Sequence, residues 1–429
     1  MTARRLLILV LGLLAALAGI VLALNLRDEG RGFDVPAGVA TALPADPVVR
    51  GEYLTRAGNC AGCHTRRGGV PYAGGRGIET PFGTVVAPNL TPDPQTGLGD
   101  WSADDFWRAL HNGRSRDGRL LYPAFPYPNY TRIARPDADA MYAYLRSLPP
   151  VVQPNAPHDL AFPFSLQPAL AVWRALYFDP GVFRPEPARS AQWNRGAYLV
   201  EGLGHCNACH SRRNVLGAPA GPLDLAGGLI PVQNWYAPSL TSTDESSVAD
   251  WETRHVVDLL KTGISARGMV MGPMTEVVQN GTQHLNEADL AAMAEFLKAL
   301  PRTRSAFAER TPPAPDPQAQ ARGGRLYEKH CAQCHGEGGR GVPGAYPALA
   351  GSRSVTMDPP ANLVHVVLQG GFPPSTGGNP RPFGMPPFAT VLANADVADL
   401  LTYVRNAWGN RAASVSALDV SRFREAAGP

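Results

Sequence analysis

The sequence predicts an all-α protein of three small helical domains in tandem, behind an N-terminal apolar segment. Three observations carry this: a cysteine pattern that occurs three times, a repeat of flanking motifs around it, and an apolar helical periodicity closing each repeat. At 429 residues the chain is too long for one ordinary core. The 44% hydrophobic and 17% charged content suits a globular protein, and the 45 glycines and 42 prolines point to loop-rich domains. A net charge of +3 gives no concentrated basic face and excludes nucleic acid as an expected partner.

At the N-terminus, Arg4 and Arg5 precede an uncharged stretch from Leu6 to Leu24. That length spans a hydrocarbon core as a helix, with the flanking arginines on the cytoplasmic side. The competing reading is a cleaved signal peptide, for which Ala16-Leu17-Ala18 is a possible site. Cleavage there leaves Ile20 to Leu24 on the mature terminus, so residues 1–27 read first as an anchor. On either reading the bulk of the chain is exported.

All six cysteines fall in one frame: Cys60-Ala-Gly-Cys63-His64, Cys206-Asn-Ala-Cys209-His210 and Cys331-Ala-Gln-Cys334-His335. Two thiols three apart share one side of a helical turn and can each add to a vinyl group of one porphyrin. The adjacent histidine then supplies the fifth ligand to iron. A structural disulfide has no need of that histidine. Zinc needs four ligands, and three pairs do not divide into closed sites of two. Three covalent c-type haems are therefore expected.

Around the frames the repeat is legible. Arg50-Gly51-Glu52-Tyr53-Leu54 and Arg195-Gly196-Ala197-Tyr198-Leu199 precede the first and second, and Gly324-Arg325-Leu326-Tyr327 plays the same part before the third. Downstream, Ala87-Pro88-Asn89-Leu90-Thr91 matches Ala237-Pro238-Ser239-Leu240-Thr241, with Pro347-Ala348-Leu349 as a shorter version. Apolar helical patterns close the units at Asp139 to Leu148, Asp289 to Leu300 and Asp396 to Val404. The expected domains are 45–150, 191–302 and 321–410. They are joined by a linker with an apolar helix at 151–190 and a proline-rich linker at 303–320, and followed by a tail at 411–429. In the first linker, Leu166 to Phe178 forms an apolar stripe. It reads either as packing on a haem domain or as a docking surface for a partner subunit or the membrane.

This organisation resembles the small cytochrome c fold, in which first and last helices meet and the haem lies between loops. The resemblance implies that the carbonyls of Pro88, Pro238 and Pro347 orient the ligand histidines through their other ring nitrogen. It also implies a methionine as sixth ligand. Met385, in Gly384-Met385-Pro386-Pro387, is the candidate in the third unit. Met269, Met271 and Met274 are the choices in the second, and Met274, after Gly272-Pro273, is preferred. In the first unit Phe125 stands where sulfur is expected. Met141 aligns with Met293 and Leu400 as core, and His111 aligns with Lys261 and reads as solvent-facing. The first haem has no assignable sixth ligand. Gly336-Glu337-Gly338-Gly339-Arg340-Gly341 matches a dinucleotide pattern, but no strand precedes it, and it reads as a loop.

At family level the chain resembles the three-haem cytochrome subunits of membrane-bound bacterial dehydrogenases. The stretches Ala197 to Cys206 and Arg381 to Phe388 carry the likeness. Related cytochromes accompany molybdenum hydroxylases, and Tyr122-Pro-Ala-Phe-Pro-Tyr127 is closer to that branch. The resemblance implies an electron-transfer subunit, not an enzyme, on the periplasmic side of a bacterial inner membrane. Its partners are a catalytic quinoprotein, flavoprotein or molybdenum hydroxylase, with ubiquinone or a terminal oxidase downstream. The competing class is a haem peroxidase or reductase using an open first haem.

Overall fold

The computed structural model describes residues 2–27, 43–221, 224–304 and 312–425. Helix α1 (Ala3–Leu26) is long and apolar enough to cross a membrane and is exposed along most of its length, with Val21 and Leu24 half-buried and Asn25 buried near its end.

Three helix pairs organise the rest. Helix α2 (Pro47–Ala57) starts on Asp46, whose carboxylate accepts from the amides of Val48 and Val49, with proline at the first helical position. After the first frame come the hairpin β1 (Gly77–Thr80) and β2 (Gly83–Val86), which β3 (Asp159–Leu160) extends. Helix α3 (Ala103–Asn112) is held by a Ser102–Asp105 capping box, and α4 (Arg135–Ser147) closes the first unit against α2. Helix α5 (Gln167–Tyr177) lies in the first linker.

The second unit pairs α6 (Ala191–Tyr198) with α8 (Glu287–Lys298), with α7 (Thr253–Thr262) beside α8. The third pairs α9 (Pro317–His330) with α11 (Asn394–Val404), with α10 (Ala361–Gln369) and α12 (Ala417–Glu425) packed alongside. The all-helical expectation thus meets a small strand component. It consists of the first-unit hairpin and two-residue ladders in the second unit, short because backbone polar groups in tight loops pair locally.

Every pair crosses at a glycine. A Cβ on Gly51 would lie 1.8 Å from the Ala140 carbonyl oxygen, on Gly196 2.0 Å from that of Ala292, and on Gly323 2.2 Å from that of Asp399. The same three glycines face the Cβ atoms of Tyr144, Phe296 and Tyr403. The third contact residue is Gly323, one position before the glycine that the sequence repeat aligns. We expect Gly196→Val to hold α6 and α8 apart and to lower the thermal midpoint of the first two units by several degrees or abolish folding, read by circular dichroism.

The first two pairs share one core. Leu54, Met141 and Leu145 pack in the same cluster as Leu203, Leu290 and Met293, whereas Tyr327, Leu400 and Leu401 belong to a separate cluster. The seam between the first two units is reciprocal. Arg50 pairs with Asp137, which also accepts a 2.6 Å bond from the Tyr198 hydroxyl of the second unit. Arg195 pairs with Asp289 at 2.7 Å, and Asp289 accepts a 2.6 Å bond from the Tyr53 hydroxyl of the first. Burial beside these carboxylates raises both tyrosine pKa values. The third unit meets the second through polar contacts such as Asn362 with the Tyr236 backbone, at 2.7 and 2.8 Å.

Three readings need correction. Residues 317–320, read as linker, are the first turn of α9, started by the Asp316 side chain. Residues 305–311 of that linker lie outside the described residues. The tail contains α12 and buries Val415 and Val420 against the third core; residues 426–429 lie outside the described residues. His111 is buried, not solvent-facing: its Nδ1 lies 2.9 Å from the Thr131 carbonyl oxygen, and the ring stacks on Trp107 at 4.6 Å. Its counterpart Lys261 makes the equivalent bond, from Nζ to the Leu285 carbonyl at 2.6 Å. The two positions do correspond, and both side chains turn inward to satisfy a backbone acceptor.

Candidate haem sites

Each frame follows the helix that opens its unit. Cys60–Cys63 is itself one helical turn, closed by the His64 amide on the Cys60 carbonyl at 2.9 Å. The corresponding bonds at His210 and His335 are also 2.9 Å. This geometry puts both sulfurs of a frame on one side and the histidine just beyond them.

All three histidines then make the same second contact. The Nδ1 atoms of His64, His210 and His335 lie 2.8, 2.7 and 3.0 Å from the carbonyl oxygens of Pro88, Pro238 and Pro347. An imidazole that donates through Nδ1 presents Nε2 as its lone-pair nitrogen, the tautomer a metal requires. Burial lowers the pKa of each ring, which keeps it neutral and able to ligate. Burial also pushes the Cys60 and Cys206 thiols up to about 12 and that of Cys331 to about 11. Among the described residues no cluster of three or more histidine, cysteine or acidic side chains has metal-binding geometry.

In the first unit a cavity of about 510 Å³ opens between the frame and the loop facing it, lined by Cys60, Cys63, His64, Pro88, Phe125 and Met141. Arg116 and Arg119 are also in its wall, cations that suit the two carboxylates of a porphyrin. The residues fit a haem. His111 is not among the lining residues, and Phe125 is.

Of the candidate sixth ligands, Met274 is the first residue of a short helix (Met274–Asn280) and Met385 lies in a loop before α11. Met274 packs against the core shared by the first two units, which also holds Cys60 and Cys206, whereas the Met271 methyl group reaches toward Gly371 of the third unit. Met385 packs against the same core as Cys331, and its backbone is fixed by paired bonds with Gly371 at 2.8 and 2.9 Å. Gly370 is required beside it: with φ of 64°, an added Cβ would fall 2.3 Å from the Met385 carbonyl.

Sequence reasoning misses two residues. Arg76 hydrogen-bonds the Gly62 carbonyl, and Arg213 that of Ala208, each bracing the residue just before a frame's second cysteine. Their offsets from the frames differ, so no repeat betrays them.

A histidine beside paired cysteines, oriented by a proline carbonyl, defines a protein of covalent c-type haem. The cytochrome c family profile matches residues 48–149 and 320–408. The chain is 36% identical over 429 residues to the cytochrome c subunit of the quinone-type alcohol dehydrogenase of Gluconacetobacter polyoxogenes, covering 95% of this chain and 91% of that protein. It is 36% identical over 399 residues to the gluconate 2-dehydrogenase cytochrome c subunit of Pantoea cypripedii, covering 88% and 89%. It is 43% identical over 376 residues to one subunit of the nicotinate dehydrogenase of Pseudomonas putida, covering 86% of this chain but spanning only 31% of that longer protein. The chain belongs to the family of cytochrome c subunits of bacterial dehydrogenases. It is an electron-transfer subunit and not the catalytic one.

Proposed function

We propose that the chain carries three haems, one on each frame, and relays electrons from a dehydrogenase catalytic subunit to ubiquinone or a terminal oxidase. The single observation behind the count is the threefold histidine–proline contact: the same orienting bond stands behind His64, His210 and His335. The covalent sites are Cys60 with Cys63, Cys206 with Cys209, and Cys331 with Cys334. Met274 and Met385 complete the second and third irons, and the sixth ligand of the first iron is unassigned. Haem supplies reversible one-electron chemistry, while the protein sets ligands, burial and spacing.

The division into units at 45–150, 191–302 and 321–410 belongs to this proposal. So does the location: residues 1–27 anchor the chain on the periplasmic side of a bacterial inner membrane. The partner is a quinoprotein, flavoprotein or molybdenum hydroxylase, as the spread of relatives across alcohol, gluconate and nicotinate dehydrogenases supports.

Haem content and intact mass of the matured chain test the count and the anchor together. The expected result is three haems per chain, with residues 2–27 retained. Copurification with a large dehydrogenase subunit, whose substrate reduces the haems, tests the relay. A colourless matured chain, or cysteines found free, overturns the proposal.

A further inference from the structure

Helix α5 has an unusual surface. From Leu160 to Phe178 the only charged residue is Arg174, and it points inward. Its guanidinium bonds the Asn25 side chain at 2.9 Å and lies over the rings of Tyr127 and Phe178. The outward face is apolar: Phe162 is 81% exposed and Leu176 63%, with Leu166 and Val172 beside them. A solvated helix would carry charge there.

The face continues onto the second unit. The Trp173 indole donates to the Leu216 carbonyl at 2.9 Å, so the loop tip holding Val215, 94% exposed, and Leu216 lies next to α5. Trp173 and Tyr177 stand 5.5 Å apart on this side, the amphipathic aromatics that favour a bilayer interface.

The position of the face names its occupant. The C-terminal end of α1 is fastened to α5, where Asn25 donates to the Ala171 carbonyl at 2.9 Å and Arg27 bonds the Phe178 carbonyl, and to the loop after α3, where Arg114 donates to the Asn25 carbonyl at 3.0 Å. The end of α1 thus meets the middle and C-terminal end of α5. We propose that α5, with Phe162 and the Val215-Leu216 tip, lies in the phospholipid interface beside the anchor. This second contact tilts the haem units toward the bilayer. The inference rests on the anchor reading of residues 1–27.

The test reconstitutes the full haem-loaded chain in phosphatidylethanolamine–phosphatidylglycerol liposomes containing a phosphatidylcholine with a photoreactive acyl chain, and maps lipid adducts by mass spectrometry. Adducts are expected on the 162–177 and 215–216 segments as well as on α1. The double variant L166N/L176N, judged intact by an unchanged haem spectrum, should lose α5 labelling roughly tenfold or more while α1 labelling persists. Adducts confined to α1 overturn the inference, and so does α5 labelling that disappears when the catalytic subunit binds, which would make a protein the occupant. Absence of adducts on α1 instead overturns the anchor reading.

Discussion

Asp289→Ala is expected to cost about 3–5 kcal/mol, because it leaves the Arg195 guanidinium buried without its counter-charge. Asp289 is 0% exposed and Arg195 2%, so water cannot replace the carboxylate. The same substitution strips the Tyr53 hydroxyl of its acceptor, so the loss reaches the first unit as well. Thermal unfolding followed by haem absorbance should show the first two units melting together at lower temperature, with the third transition unmoved. Asp137→Ala should act similarly but more weakly, since Arg50 is partly exposed and keeps access to water. A double variant should be less than additive, because each aspartate anchors one half of a single seam. Independent melting of the first and second units would show that the seam carries no coupling.

The second large effect concerns iron. Phe125 lines the first cavity where the repeat places sulfur, and Met385 holds that place in the third unit. Phe125→Met should give the first haem a thioether ligand, convert its spectrum to low spin and raise its potential. Met385→Phe should do the reverse at the third haem. Each change should move one potential by a sizeable fraction of the roughly 0.8 V window that axial ligands span. Potentiometric titration with electron paramagnetic resonance distinguishes the haems. If Phe125→Met leaves the spectrum unchanged, another residue already holds the sixth position of the first haem.

Much of the site is legible in the sequence because its chemistry is local. A frame needs two thiols and an imidazole within five residues, and its proline lies 12 to 28 residues downstream, within one repeat. The closing helices are legible too, because each buries an apolar face against a glycine of the opening helix. Tyr53 and Tyr198 are visible as repeated residues, but their partners are not. A tyrosine bonding an aspartate 236 residues away leaves no period in the sequence. His111 misleads for a different reason: polarity at an aligned position suggests exposure, whereas a backbone carbonyl at Thr131 awaits a donor. The helices at 317 and 417 are hidden where proline and a chain end suggest irregular structure, although Asp316 and Ser416 cap them.

Leu199–Leu203 is a π-helical turn, and Cys206 stands one residue farther from its crossing glycine than Cys60 does. In a regular helix an inserted residue would rotate everything after it by about 100° and turn the thiols away from their pocket. The widened turn absorbs that phase error, at the cost of loosening the helical ladder. The slack is taken up across the unit boundary: Asn129 donates to the Glu201 carbonyl at 2.6 Å, and Arg132 meets the Glu201 carboxylate at 3.1 Å. The widened turn is thus also a latch onto the neighbouring unit.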